Sequence, residues 1–219
     1  MKLIAFSVWG VDLKYLSGAI RNAELAQLVY PDWVCRFYVD SLVPFFVIDE
    51  LSKLENVQIV MTNELGDWKS SFYRFGDIDD DDVEVLISRD SDSRLSIREK
   101  AAVDQWLSSD SGFHIMKDHP WHYTHPILAG MWGIKSNVVQ NMKKKIAGWD
   151  KTNTYHSDQN FLRDIIYPEI KNNCLIHDDF KAQPFPAPRG DVEFIGQVFD
   201  ENEETVREHL DALRAVLGK

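Results

Sequence analysis

Apolar positions along the first half of the chain switch repeatedly between a strand-like and a helical period. Leu3–Trp9 is a short apolar run of strand length, and Ser17–Tyr30 follows with Ile20, Ala23, Leu25 and Leu28 at helical spacing until Pro31. The same reading predicts strands at Val34–Val39, Val57–Met61 and Val83–Ser88. It predicts helices at Ser41–Leu54, with Pro44 in its first turn, and at Asp67–Phe75, capped by Asp67. Ser96-Ile97-Arg98-Glu99 reads as a capping box opening a helix that runs to about Ser108. Strands and helices alternating through short connections point to an α/β fold with a mainly parallel central sheet flanked by helices.

The second half is less regular and predicts a mixed arrangement. Phe113–Met116 and Met131–Lys135 read as strands around the His- and Pro-rich segment Lys117–Pro126. Val138–Ala147 and Ser157–Tyr167 read as helices, Leu175–His177 as a short strand and Gln183–Gly190, with three prolines, as loop. Glu201–Leu217 closes the chain as an amphipathic helix with Val206, Leu210, Leu213 and Leu217 on one face. No repeat or low-complexity linker divides the 219 residues, so one domain is the economical account.

Composition narrows the classes. At 44% hydrophobic the chain can bury a substantial core, and no stretch approaches the roughly 18 apolar residues of a membrane span. A net charge of −11 argues against a nucleic-acid partner, which wants a basic face. Two cysteines, Cys35 and Cys174, form no disulfide framework, and Met1–Phe6 does not read as a signal peptide. A reducing, cytoplasmic setting is therefore expected. Most of the acidic excess lies in residues 1–110, where a divalent cation is one candidate to neutralise it. Asp77 and Asp79–Asp82 within that half read as a solvated loop.

The candidate chemistry sits at Val85-Leu86-Ile87-Ser88-Arg89-Asp90-Ser91-Asp92, where an apolar strand runs straight into Asp-Ser-Asp. Ligands of open α/β sheets bind at the carboxyl ends of strands. Two carboxylates two residues apart can there reach one hard cation, Mn²⁺ or Mg²⁺, that shares its shell with phosphate oxygens.

Ser88–Lys100, His114–His119, Ala129–Lys135, Ser157–Leu162 and Phe194–Asp200 form an ordered series, preceded by Phe6–Gly10 and Gly18–Leu25. The series resembles small bacterial and viral glycosyltransferases of the GT-A fold, among them the N-terminal domain of a chlorella-virus enzyme. The resemblance implies a single GT-A-like domain, with nucleotide bound by about residues 1–110 and donor sugar and acceptor by about 111–219. It implies a metal-dependent, hexosyltransferase-like enzyme moving sugar from a nucleotide diphosphate donor, UDP-sugar foremost, to a glycan-like acceptor. Phe6, Ser7, Trp9, Gly10 and Tyr15 would then hold the nucleotide, although Trp9 could equally be core. Asp90 would face the ribose or a metal-bound water, and Asp92 would ligate the cation of this DXD motif. His177 is the first choice for a third ligand and His156 the second, while His114, His122 and His125 have no spacing that suggests a metal cage.

Either Arg74 or Arg21 could pair with a site carboxylate or with phosphate, and Arg94, directly after the acidic motif, could equally form a salt bridge within the capping region. Gly130 would keep space open for sugar and Trp132 would stack on it. Asp118 and Asp158 are the candidate catalytic carboxylates, Asp158 having a plain helix-terminus role as its alternative. Two rivals stand beside this reading. One is a sugar-phosphate nucleotidyltransferase, whose usual Gly-rich basic loop is missing from Val8–Lys14. The other is a catalytically idle carbohydrate- or nucleotide-binding domain.

Overall fold

A computed structural model of the chain describes residues 1–62, 64–191 and 193–219. Its element order is β1 (Lys2–Val8), α1 (Leu13–Val29), β2 (Val34–Val39), α2 (Phe45–Ser52), β3 (Val57–Met61), a 3-10 segment (Trp68–Asp79), β4 (Val85–Ser88) and α3 (Ile97–Leu107). The second half runs β5 (Phe113–Lys117), a 3-10 turn (Pro120–Tyr123), β6 (Trp132–Lys135), α4 (Met142–Gly148) and α5 (Ser157–Phe161). A π-helical turn (Leu162–Ile166) joins α5 to α6 (Tyr167–Ile170), and β7 (Cys174–Asp178) and α7 (Arg207–Leu217) complete the chain. Among the described residues, no helix is long and apolar enough to cross a membrane.

Among the described residues seven strands form one sheet in the order β3-β2-β1-β4-β6-β5-β7. β1 pairs in parallel with β2 and β4, β2 with β3, and β5 with β7. β6 alone runs against its neighbours β4 and β5. The expected α/β class with a mainly parallel sheet and a mixed second half is what the chain adopts.

Both faces of the sheet are covered, which is why β1 reads as a continuous apolar run. Ile4, Phe6 and Val8 face a core built with α1, α2 and α3, while Leu3 and Ala5 face one built with the 3-10 segment, α4, α5 and the π-turn. Phe6 stacks on Phe37 at 4.8 Å between ring centroids, inside the first core.

Boundaries differ from the sequence reading for local reasons. α1 starts at Leu13 because the Asp12 side chain accepts the Lys14 N–H and caps it there. Residues 138–141 are not helical: Asn137 and Asn141 adopt φ of 64° and 58°, a left-handed conformation that a helix cannot carry through. α7 starts only at Arg207, after a bridge between Phe199 and Thr205 and a turn at Glu203 with φ 62°. Ser96 caps α3 by accepting the Glu99 N–H at 3.1 Å, but the Glu99 carboxylate does not return to the cap. It is drawn instead to Arg89 Nε at 2.8 Å and the Tyr30 hydroxyl at 2.9 Å, a stronger, charge-assisted arrangement for a buried acid.

The expectation of a solvated acidic loop at Asp77 and Asp79–Asp82 holds only for Asp81 and Asp82. Asp77 is buried against Arg36 and Tyr38, and Asp80 pairs with Arg36 and Lys143. Asp79 accepts the N–H groups of Met142 at 2.9 Å and Lys143 at 2.7 Å, which are orphan donors at the start of α4. Asp79→Ala should therefore lower unfolding free energy by about 1 kcal/mol in urea melts. The same change at Asp81, which is exposed, should leave the midpoint within error.

Candidate active site

The carboxyl ends of β1 and β4 lie side by side, with Ala5 opposite Ser88 in the register. A cavity of about 670 Å³ opens in front of them. Its walls include Ser7, Trp9, Gly10, Tyr15, Arg74, Asp90, Asp92, Gly130 and Asp158, so the chain brings nine of the sequence-predicted residues together.

The Asp90–Asp92 loop is held from several sides. Gly18 on α1 approaches so closely that a Cβ there would stand 2.0 Å from the Ser91 carbonyl oxygen. One turn on, buried Asn22 donates to the carbonyls of Ser91 at 3.1 Å and Ser93 at 2.7 Å and accepts the Leu95 N–H at 3.0 Å. Gly18 and Asn22 share a helix face at i, i+4 spacing, which explains the Gly18–Leu25 motif as a cradle for the acidic loop. Gly130 leaves room for Asp90: a Cβ there would fall 2.2 Å from Asp90 Oδ2.

Charge is arranged around the same loop. Buried Arg74 donates to Asp90 Oδ1 at 2.5 Å, to the Arg89 carbonyl at 2.7 Å and to Asp158 Oδ2 at 3.4 Å. Lys14 Nζ stands 3.6 Å from Asp92 Oδ2. Burial, and then the charge of Asp90, push the Asp92 carboxyl up to about 6. Burial, and then Asp92, raise the Tyr15 phenol as well.

The end of the cavity beside β1 is aromatic. Gly10 takes φ 73° where the chain turns out of β1, and its N–H donates to Asp40 Oδ1 at 3.2 Å. Asp40, almost fully buried, also accepts the N–H groups of Leu42, Val43 and Gly66. Gly66 is thereby pressed against Trp9, whose Cβ would lie 2.1 Å from a Cβ at that glycine. Trp9 meets Trp68 edge-on at 6.0 Å, and Trp68 meets Tyr155 at 5.1 Å. Trp68, Tyr155 and His156 line the cavity beside Trp9 and Tyr15.

Four sequence expectations are corrected. Phe6 has no exposed surface and packs on Phe37, so it is core and not a nucleotide contact. Trp132 is also fully buried, stacked on Phe113 at 5.2 Å, and does not reach the cavity as a sugar platform. Asp118 is a buried ion-pair partner of Arg98 and Arg189, which leaves it unable to act as a base. His177 has both ring nitrogens engaged, Nδ1 with His114 Nε2 and Nε2 with Gln105 Oε1, each at 2.8 Å. Burial pushes His177 down to about 4, so it is a neutral interior residue away from the acidic pair and not its ligand.

Arg21 pairs with Glu24 on the surface, and Arg94 with Glu203; neither lines the cavity. Of the seven histidines, only His122 and His156 line it among the described residues. Asn22 and Asp40 were missed because buried Asn and Asp that serve backbone groups carry no spacing signature. Trp68 and Tyr155 carried a weak one, being large aromatics beside polar turn residues.

Among the described residues, no group of three or more His, Cys, Asp or Glu side chains is gathered to hold a metal ion. The acidic pair nevertheless suits a hard cation: two carboxylates line one cavity, and Asp92, raised first by burial and then by the charge of Asp90, would be stabilised as a carboxylate by a cation.

The chain has the GT-A fold seen in glycosyltransferases, and Asp-Ser-Asp follows β4 at the edge of the cavity. It is similar to the crystal structure of a glycosyltransferase involved in glycosylation of the major capsid of PBCV-1, at TM-score 0.51 and 15% identity over 81% of each chain. It is also similar to S. aureus TarS 1-349, at TM-score 0.54 and 10% identity over 83% of this chain and 59% of that one. A third likeness is to 4-diphosphocytidyl-2C-methyl-D-erythritol synthase of Anaerococcus prevotii, at TM-score 0.53 and 10% identity over 100% of this chain and 96% of that one. No family model matches the chain, and no curated protein matches it.

The raised Asp92 carboxyl has a consequence for stability. Between its ordinary 3.8 and about 6, the folded protein keeps a proton that the unfolded chain has lost. Stability is therefore lost as pH rises through that window, and the ionised carboxylate is a cost at pH 7. Asp92→Asn should raise the cation-free Tm at pH 7, and the gain should shrink toward pH 4. Thermal melts at the two pH values check this; an equal change at both would contradict the assigned shift.

Proposed function

We propose that this chain is a glycosyltransferase that takes its sugar from a nucleotide diphosphate donor, UDP-linked foremost, and passes it to a glycan-like acceptor. The observation that carries the reading is one cavity with two unlike ends, an aromatic end at β1 and an acidic pair at the tip of β4. In this reading Trp9, Tyr15 and Ser7 receive the nucleotide, and Asp90 and Asp92 hold Mn²⁺ or Mg²⁺. When bound, the cation offsets the negative charge that grows on the departing diphosphate.

Arg74 keeps Asp90 oriented and ties it to Asp158, which shares the cavity wall. Because Arg74 offsets part of the charge of both acids through Asp90 Oδ1, the half-exposed Asp90 keeps Oδ2 free for a cation. Asp158 is the candidate for the sugar-facing or acceptor-activating carboxylate, and His156, which lines the cavity as His177 does not, becomes the candidate third ligand.

A nucleotidyltransferase is the second reading, favoured by the whole-chain likeness to the erythritol synthase. Against it stands the β1–α1 connection, Trp9–Asp12, which has one glycine and no basic residue. Pyrophosphate release from a nucleoside triphosphate and a sugar phosphate would favour that enzyme; donor hydrolysis without a triphosphate would favour a glycosyltransferase.

A thermal-shift panel of UDP-, ADP-, GDP- and CDP-sugars, with and without Mn²⁺, tests the reading by mass action. UDP-sugars should raise Tm most, and more with Mn²⁺. Equal shifts for all four would count against a base-reading pocket. Asp92→Asn should cut donor turnover on the order of 100-fold while weakening donor binding less, since charge stabilisation matters most as the leaving group departs. An Asp92→Asn protein with unchanged turnover and Mn²⁺ dependence would sink the mechanism. His156→Ala should weaken Mn²⁺-dependent binding, and His177→Ala should lower stability without doing so.

A further inference from the structure

Asp118, removed from catalysis by its ion pairs, lies beneath a residue that does face the cavity. Its carboxylate has no exposed surface and is saturated. Oδ1 accepts from Arg98 Nη2 at 3.0 Å and Arg189 Nη2 at 2.6 Å, and Oδ2 from Arg98 Nε at 3.2 Å and the Ile195 N–H at 2.9 Å. Arg189 also donates to the Asp118 carbonyl at 3.0 Å. The main chain at residue 118 is therefore fixed on every side.

The Asp118 N–H donates to His122 Nδ1 at 3.1 Å. A backbone N–H can only donate, so Nδ1 must be the bare nitrogen and the ring proton must sit on Nε2. Among the described residues Nε2 has no hydrogen-bond partner, and the ring lines the cavity beside Met131 and Gly196. Gly196, at φ 81°, belongs to the turn that Asp118 anchors through Ile195, and a Cβ there would stand 3.5 Å from His122 Cε1. Burial first, then His119 and Lys117, push His122 down to about 3, so the ring stays neutral at ordinary pH.

The strand order places this donor relative to the acidic pair. Trp9 follows β1, Asp90 follows β4, Gly130 precedes β6 and His122 follows β5, and these four strands are consecutive in the sheet. His122 thus stands on the side of Asp90 opposite the aromatic end. A charged imidazolium there would compete for phosphate; a neutral N–H suits a hydroxyl or ring oxygen.

We propose that His122 donates a hydrogen bond through Nε2 to the sugar portion of the donor, with Asp118 as the positioning residue that sets its tautomer and orientation. The proposal rests on the glycosyltransferase reading and deepens it by naming a sugar-specific contact. Two measurements test it. Nitrogen-15 spectra of the histidine rings should show His122 neutral with its proton on Nε2 between pH 5 and 8; an imidazolium or an Nδ1–H form would overturn the assignment. Titrations of UDP, UDP-glucose, UDP-galactose and UDP-N-acetylglucosamine with Mn²⁺ supply the second readout.

His122→Phe should weaken the tightest-bound sugar nucleotide about tenfold, the worth of one neutral hydrogen bond, and leave the UDP dissociation constant unchanged. His122→Gln, which keeps an N–H, should recover part of the loss. Equal loss for UDP and sugar nucleotide, or no loss for either, would overturn the sugar contact. Failure of the glycosyltransferase reading is read separately, on the unmodified protein: one that binds UDP and none of the three sugar nucleotides overturns both.

Discussion

Two carboxylates of like charge two residues apart, Asp90 half-exposed and Asp92 largely out of water, are the constraint around which this protein is organised. Left alone, Asp90 and Asp92 would repel and the loop would open. Arg74 holds the first, Lys14 stands by the second, and Asn22 ties the backbone between and beyond them. Burial and, after it, the charge of Asp90 hold the Asp92 carboxyl above its ordinary range. In the proposed reading a loop held this way is preorganised for a cation, because part of the cost of gathering the negative charge is met by the fold before anything binds.

A different solution is used for the buried charges behind the cavity. Arg89, Glu99 and Tyr30 close on one another, and Arg89 also donates to the carbonyls of Ser88 and Trp132. Asp118, Arg98, Arg189 and Asp179 form a second closed set. Such networks add little net stability against apolar replacements, yet removing one member strands a charge in the interior. Their contribution is registry: the first locks the end of β4 to the start of α3, and the second locks the end of β5 to Arg189 and Ile195. The cavity lies between these two locked corners.

Much of the fold was legible because strand and helix periods differ, and because β1 and β4 carry apolar runs that suit a sheet covered on both faces. The acidic motif was legible from its position after β4, and Trp9, Gly10, Tyr15, Arg74, Gly130 and Asp158 all line the cavity as expected. What failed was the direction of side chains. Phe6 and Trp132 lie on strands at the site, and a single residue's step along a strand turns a side chain from cavity to core. His177 and Asp118 look chemical in isolation, but only the packed structure shows that each is already consumed by neighbours. His122 was passed over because its signature is a hydrogen bond to a main-chain N–H four residues back, which no residue spacing announces.

Strand β6 carries one more consequence. It enters the sheet between β4 and β5 from the opposite direction, long after the chain has left β4. The residues just before it, Ala129–Met131, are the ones that wall the acidic pair. During synthesis β1 to β4 all emerge before β6, so one edge of β4 stays unpaired until β6 is made. Val85 pairs with Lys135, so insertion of β6 is a non-local event of the kind that slows folding. Until it occurs the Asp pair exists but the wall at Ala129–Met131 does not, so the cavity depends on the insertion of β6 and not on the acidic motif alone.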